Sequence, residues 1–267
     1  MTDVSSTGSS VPSRLGVAAR VEDGQLVLEL RPQEETLHHG MIRASALSFI
    51  IDVVAGVPLD QDADMWTLTS DMTVRMRPVP APLRIDATCE IIRQGRRSAT
   101  SLVDLRTDQG APIATGAIGF VKVPRKPDDP PKPNVPIGQF PVIFRDPMTL
   151  SRPLREEAGI EVIDAAEGIV QVEVTADLRN PAGTLQGAMV ALLAEAAAED
   201  LMATRFGSNF VVTDLDLRYL RKTDVGPVRT RSTLLGVGLE ASVQVELIDT
   251  STDQITTLVY ARAIEVP

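Results

Sequence analysis

Residues 180–195 read Asn180-Pro-Ala-Gly-Thr-Leu-Gln-Gly187-Ala-Met-Val-Ala-Leu-Leu-Ala-Glu195. A turn dipeptide, Asn180-Pro181, opens the stretch. From Leu185 to Ala198 the side chains are apolar or small on nearly every side, and Glu195 is the only charge. A helix that is apolar all round is a buried helix. A carboxylate inside it is costly unless something partners it, so Glu195 is informative. Met41 to Ala55 repeats the pattern, with Asp52 in the corresponding place.

The correspondence extends outward at one fixed offset. Ser-Asp-Met-Thr-Val-Arg at 70–75 matches Thr-Asp-Leu-Asp-Leu-Arg at 213–218, 143 residues later. Gly16 and Gly159, Gly40 and Gly183, Asp52 and Glu195, and Gly95 and Gly238 keep the same separation. The chain therefore reads as two copies of one unit.

Each copy begins with a hairpin. Leu26, Leu28 and Leu30 alternate after a turn at Glu22-Asp23-Gly24, and Val170, Val172 and Val174 do so after Gly168. The central helix follows, and then three further strands. The first copy shows Met72/Val74/Met76, Leu83 through Ile91, and a run ending near Val123; the second shows Leu215/Leu217/Tyr219, Ala241 through Leu247, and a run ending near Val266. Period-two alternation marks half-buried strands of an antiparallel sheet with one wet face. That sheet must curl around its one apolar helix, so the fold class is α+β.

The expected division is a disordered Ser/Thr-rich tail at 1–13, a first unit at 14–123, a Pro-rich linker at 124–147 and a second unit at 148–267. The linker holds six prolines between Pro124 and Pro136, which favours extended chain. The tail has no basic start and no apolar core, unlike a signal peptide. The longest uncharged stretch, Asn180–Ala194, is shorter than the roughly 18 residues a spanning helix needs. These features predict a cytoplasmic protein with no membrane partner.

Composition removes other classes. Among 267 residues, 26 are basic and 36 acidic, for a net charge of −10, and 3% are aromatic. Nucleic-acid binding fits neither the charge nor the shortage of stacking rings. The single cysteine, Cys89, excludes intrachain disulfides and zinc–cysteine clusters. It sits on the apolar side of an alternating strand and reads as core.

The chemistry-bearing residues gather at the helix starts. The Gly187 N–H is one of the unpaired donors of a first helical turn, where the dipole adds positive potential. Such a donor suits a developing oxyanion. Asn180 adds a side-chain amide, and Glu195 lies two turns along.

Asn, then Gly seven residues later, then Asp or Glu eight after that, resembles the helix motif of hotdog-fold acyl-CoA thioesterases. The likeness is to the 4-hydroxybenzoyl-CoA and PaaI-like branches. Asn180, Gly187 and Glu195 match all three positions, while the usual His-Gly-Gly is Gln186-Gly187-Ala188 here. In the first copy only Asp52 matches. Leu37 and Ala44 replace the Asn and Gly, and His38-His39-Gly40 precede the helix.

The resemblance covers nearly the whole chain and implies a double hotdog in which each carboxylate faces the helix start of the other unit. One site would join Asp52 to Asn180 and Gly187. The other would join Glu195 to His38, His39 and Ala44. Substrate contacts are expected from His38, His39, Gly40 and Gln186. The implied reaction is hydrolysis of an acyl-CoA or acyl-carrier thioester in lipid metabolism, with no metal and no cofactor, in a homo-oligomer of such chains. The acyl group would lie in a tunnel between the halves.

Two other readings compete. His38 lies fourteen residues before Asp52, which resembles the His-to-Glu spacing of hotdog dehydratases acting on 3-hydroxyacyl thioesters. A non-catalytic acyl-CoA binder is the third. Each candidate also has a plain structural reading. Glu195, Glu199 and Asp200 could form an exposed helix face. Asn180 could serve only its turn, and the histidines only their loop. Arg75, Arg77, Arg96, Arg97, Arg221 and Lys222 could meet coenzyme A phosphates or simply be solvated.

Overall fold

Two buried helices lie against one curled antiparallel sheet. A computed structural model describes residues 10–133, 135–236 and 240–267. Gly238 and most of the expected tail therefore lie outside the described residues. Val11–Arg14, at the tail's expected end, form a 3-10 turn with Val11 and Pro12 buried.

The first half runs β1 (Val17–Glu22), β2 (Gln25–Leu30), β3 (Leu37–His38), β4 (Met41–Ile42), α1 (Ala44–Leu59), β5 (Met65–Met76), β6 (Ile85–Gln94), β7 (Ser98–Thr107) and β8 (Pro112–Pro124). Short helices α2 (Phe140–Ile143) and α3 (Leu154–Glu157) follow. The second half runs β9 (Glu161–Asp164), β10 (Ile169–Val172), α4 (Gly187–Phe206), β11 (Asn209–Tyr219), β12 (Val228–Leu234), β13 (Glu240–Asp249) and β14 (Gln254–Val266).

Four strands follow each helix, where alternation predicted three. The apolar pattern of 83–123 conceals a hairpin, with β6 and β7 joined around Gly95. Helix starts also differ from the periodicity. Met41 and Ile42 belong to a small hairpin with Leu37 and His38. Its turn is His39-Gly40, both at positive φ (47° and 74°). Two such residues make the tight turn that suits a two-residue hairpin.

The sheet order is β1-β2-β6-β7-β8-β5-β11-β14-β13-β12-β10-β9. The halves thus join edge to edge at β5 and β11. Thr73 pairs with Asp216 there, and the Thr73 hydroxyl donates to the Asp216 carboxylate at 2.8 Å. These residues are separated by the repeat offset, so equivalent positions meet on an internal two-fold axis. The same axis sets α1 and α4 side by side and antiparallel, with the middle of each against the start of the other.

Both helices are mostly buried, as their composition predicts, with a half-buried side on α1 and an exposed last turn on α4. Ala44, Ala46, Leu47, Ile50, Ile51, Val54 and Ala55 of α1 are sealed from solvent, as are Ala188, Ala191 to Ala194 and Ala196 to Ala198 of α4. Glycine at 116 lets α1 sit directly on β8, because a Cβ there would lie 2.7 Å from Ile51. Among the described residues no helix is long and apolar enough to cross a membrane.

Candidate active site

Asp52 projects from the third turn of α1 toward the first turn of α4. The Thr69 hydroxyl donates to Oδ1 at 2.6 Å, and Gln186 Nε2 donates to Oδ2 at 3.2 Å. Gln186 also caps α4, its Oε1 accepting the Ala188 N–H at 2.5 Å. The Tyr219 hydroxyl donates to the Gly187 carbonyl at 3.1 Å. A Cβ on Gly187 would lie 3.1 Å from the Tyr219 oxygen and 3.9 Å from Asp52 Oδ2. Glycine therefore keeps the space beside the carboxylate open. The Gly187 N–H is among the first-turn donors that the helix ladder leaves unused.

Burial pushes the Asp52 carboxyl up to about 6, against the Thr69 hydrogen bond that pulls it down. Asp52 is half-buried, so solvent reaches it. Burial and the nearby Asp52 charge hold the Tyr219 phenol neutral.

Thr69 reaches this site through a β-bulge. Strict alternation from Met72, Val74 and Met76 would point Ser70 inward and Thr69 outward. The β5–β8 register shifts between Thr69 and Asp71, so Thr69 turns in. Bulges re-aim side chains in this way. The second half bulges at the matching place, between Val212 and Asp214, and there Val212 is buried apolar.

The two-fold counterpart is built differently. Glu195 is fully buried. It accepts the Ala44 N–H at 2.8 Å and the Ser45 hydroxyl at 2.5 Å. Arg43 stands at the position of Gln186, 3.6 Å from Glu195 and 2.8 Å from Glu199. Arg43 also meets His38 Nδ1 at 3.2 Å, and His38 Nε2 lies 3.4 Å from Glu199. Burial, then the Arg43 charge, lowers His38 to about 3, so the ring is neutral. Burial raises Glu199 to about 8, against the Arg43 charge. The exposed acidic face expected over Glu195 and Glu199 is thus a buried network, and Asp200 is tied down by Arg155.

Glu199 gives a stability prediction. Its pKa is raised from 4.5 to about 8 on folding, so between those values the folded state holds the proton that the unfolded state releases. Stability therefore falls as pH rises through that window. In Glu199→Gln the drop in melting temperature from pH 5 to pH 8.5 should shrink. An unchanged drop would mean that Glu199 does not hold that proton.

No protein-family model and no curated protein matches the sequence. Solved structures match its fold. A TesB protein of Mycobacterium avium subsp. paratuberculosis aligns at TM-score 0.65 and 14% identity, over 96% of this chain and 98% of that one. An acyl-CoA thioesterase II of Mycobacterium marinum aligns at 0.55 and 12%, over 96% of each chain. A hotdog-fold protein of Alicyclobacillus acidocaldarius aligns at 0.61 and 11%, over 96% of this chain and 98% of that one. The chain is a double hotdog.

Within the double hotdog, the predicted residues divide. Asp52, Gln186 and Gly187 come together. Asn180 is engaged in its own turn instead. Its Oδ1 accepts the Thr184 N–H at 3.1 Å, and its backbone closes the same turn, which is the plain turn reading. Gln186, expected to touch substrate, instead holds Asp52. Glu195 reaches Ala44 as expected, but His38 meets Glu199, and His39 and Gly40 form the exposed hairpin turn. Arg75 pairs with Asp214 and Asp216. Arg77, Arg96, Arg97, Arg221 and Lys222 are exposed. Sequence reading missed Thr69 and Tyr219. Tyr219 carried one signal, a phenol that ends the inward alternation of Leu215 and Leu217.

Proposed function

We propose that the protein is an acyl-CoA thioesterase with its catalytic centre at Asp52. One observation carries this reading: the Asp52 carboxylate, held by Thr69 and Gln186, lies against the open first turn of the opposed helix. Asp52 is the general base. It takes a proton from water as the water oxygen attacks the thioester carbon. The Gly187 N–H and the α4 dipole hold the oxyanion that forms. The C–S bond then breaks, and Asp52 returns the proton to the departing thiolate. The products are a carboxylic acid and free thiol. Thr69 and Gln186 fix the carboxylate, and Tyr219 and Gln186 grip the two ends of the Gly187–Ala188 peptide. The full-length likeness to thioesterase structures supports the choice of reaction.

The dehydratase reading needs a histidine working with an accessible carboxylate. His38 is held by Arg43 and Glu199, and Glu195 is sealed, so the geometry favours hydrolysis.

The pH profile tests the assignment. With Asp52 as base, kcat/KM should rise with pH through about 6 and level off above it. Thr69→Val removes the hydrogen bond that favours the ionised form, so the rise should move to higher pH. A profile that Thr69→Val leaves in place would count against Asp52 as the titrating base.

A further inference from the structure

A cavity of about 670 Å³ opens in the first half, against Val54 and Pro58 of α1. Leu26, Val54, Pro58, Ile91 and Val103 form its apolar wall, and Cys89 faces into it. Among the described residues, Glu90 and Asp104 also line it, and no lysine, arginine or histidine does. The volume falls within the range of small-molecule sites.

The second half supplies an internal control. The pairs Leu30·Ile85 and Val172·Val228 occupy matching places in the two sheets. Counting from them, Leu26 matches Gly168 and Cys89 matches Ser232. Val54 matches Ala197 by the repeat offset. In the second half these residues touch, for a Cβ on Gly168 would lie 2.9 Å from both Ala197 O and Ser232. Hydroxyls close the seam between β10 and β12. Thr230 and Ser232 each donate to the Gly168 carbonyl, at 2.9 and 2.8 Å, and the Val170 N–H donates to Thr230 at 2.8 Å. The first half has Ala87 and Cys89 at those two positions, with no hydroxyl to donate. There β2 and β6 pair only from Leu28·Ala87 to Leu30·Ile85 and diverge beyond. The fold can close this gap, and the first half leaves it open.

The partly exposed side of α1 runs from the catalytic carboxylate to the gap. Asp52, Val53, Gly56, Val57 and Pro58 are the half-buried residues that sweep around α1, and Pro58 is a cavity wall. Six helical residues separate Asp52 from Pro58, an axial distance of about 9 Å. Beneath the helix the way is shut by Ile51 on Gly116.

The geometry points to this cavity as the seat of the distal part of a medium- or long-chain aliphatic acyl group. Its thioester lies at Asp52, and its tail runs over Val53 and Val57. The wall of Leu26, Val54, Pro58, Ile91 and Val103 suits an uncharged hydrocarbon tail. This replaces the expected tunnel between the halves. The placement of the head group rests on the thioesterase reading, while the cavity's occupancy does not.

Cys89 is the chain's only cysteine, so thiol alkylation reports on this cavity alone. Alkylation of Cys89 by N-ethylmaleimide, followed by intact mass, is to be measured with S-dodecyl-CoA, a non-hydrolysable thioether, and with S-butyl-CoA. The dodecyl compound should slow alkylation at least tenfold and the butyl compound by less than twofold. Equal protection by both, or none by either, would overturn the proposal whether or not the protein hydrolyses thioesters. A second arm covers slow alkylation of the half-buried thiol. Cys89→Trp, checked for folding by circular dichroism, should reduce affinity for S-dodecyl-CoA at least tenfold in calorimetry and leave S-butyl-CoA unchanged. An unchanged dodecyl affinity would sink it. If the protein also hydrolyses thioesters, Cys89→Trp should lower kcat/KM for dodecanoyl-CoA and spare butanoyl-CoA.

Discussion

Asp52→Asn should abolish turnover and make the protein more stable at neutral pH. Removing a positioned general base typically costs 10²–10⁴ in rate, and the same range is expected here for kcat. The stability gain follows from burial. Asp52 titrates at about 6 when folded against 3.8 for a free carboxyl, so keeping it charged above pH 6 costs folding free energy. Linkage puts the upper bound near 3 kcal/mol, and the half-buried position reduces this to about 2 kcal/mol. For a chain of this size that is roughly 5 °C in melting temperature. The sign follows from the raised pKa. The charge penalty is complete above the folded pKa and absent below 3.8, so the gain should appear at pH 8 and vanish at pH 3.5. Asparagine keeps both contacts, with its Oδ1 turned to Gln186 and its Nδ2 to the Thr69 oxygen. An inactive variant that is also less stable at pH 8 would make Asp52 a structural hydrogen-bonding residue.

Arg43→Met should be the most destabilising single change at the other helix start. Arg43 is 6% exposed and is the cation between Glu195 and Glu199. Removing one partner of a buried ion pair typically costs about 3–5 kcal/mol, here roughly 10 °C. Replacing all three side chains together, in Arg43→Met/Glu195→Leu/Glu199→Leu, should cost far less than Arg43→Met alone. A buried ion cluster exchanged whole for apolar side chains is often neutral or stabilising. Thioester hydrolysis per folded molecule should survive both changes, because the Asp52 centre shares none of these side chains. Thermal melts at pH 5 and pH 8 with parallel rate assays read each outcome. If Arg43→Met melts within 2 °C of wild type, the network contributes no such stability.

These contrasts mark what the sequence carries and what only the fold reveals. The repeat offset was legible, and it holds to the point where Thr73 meets Asp216 on the axis. Both buried helices were legible because polar residues are scarce in them. Asp52, Gln186 and Gly187 were legible as candidates. Thr69 was not, since one bulged residue at Ser70 inverts the alternation on which strand reading depends. The fate of Glu195 was not legible either. An i,i+4 pair with Glu199 looks like a solvated face until Arg43 arrives from the other half. Cys89 reads as core by alternation, yet it lines a cavity, and Ala87 and Cys89 stand where the second half has the hydroxyls of Thr230 and Ser232.

Release of coenzyme A by the wild-type protein, offered acyl-CoA esters from butanoyl to hexadecanoyl at pH 7.5 beside Asp52→Asn, tests the central claim most directly. The account predicts equal amounts of thiol and free acid from at least one ester, and loss of both in Asp52→Asn. Absence of thiol from every ester, or release that Asp52→Asn leaves intact, would contradict it.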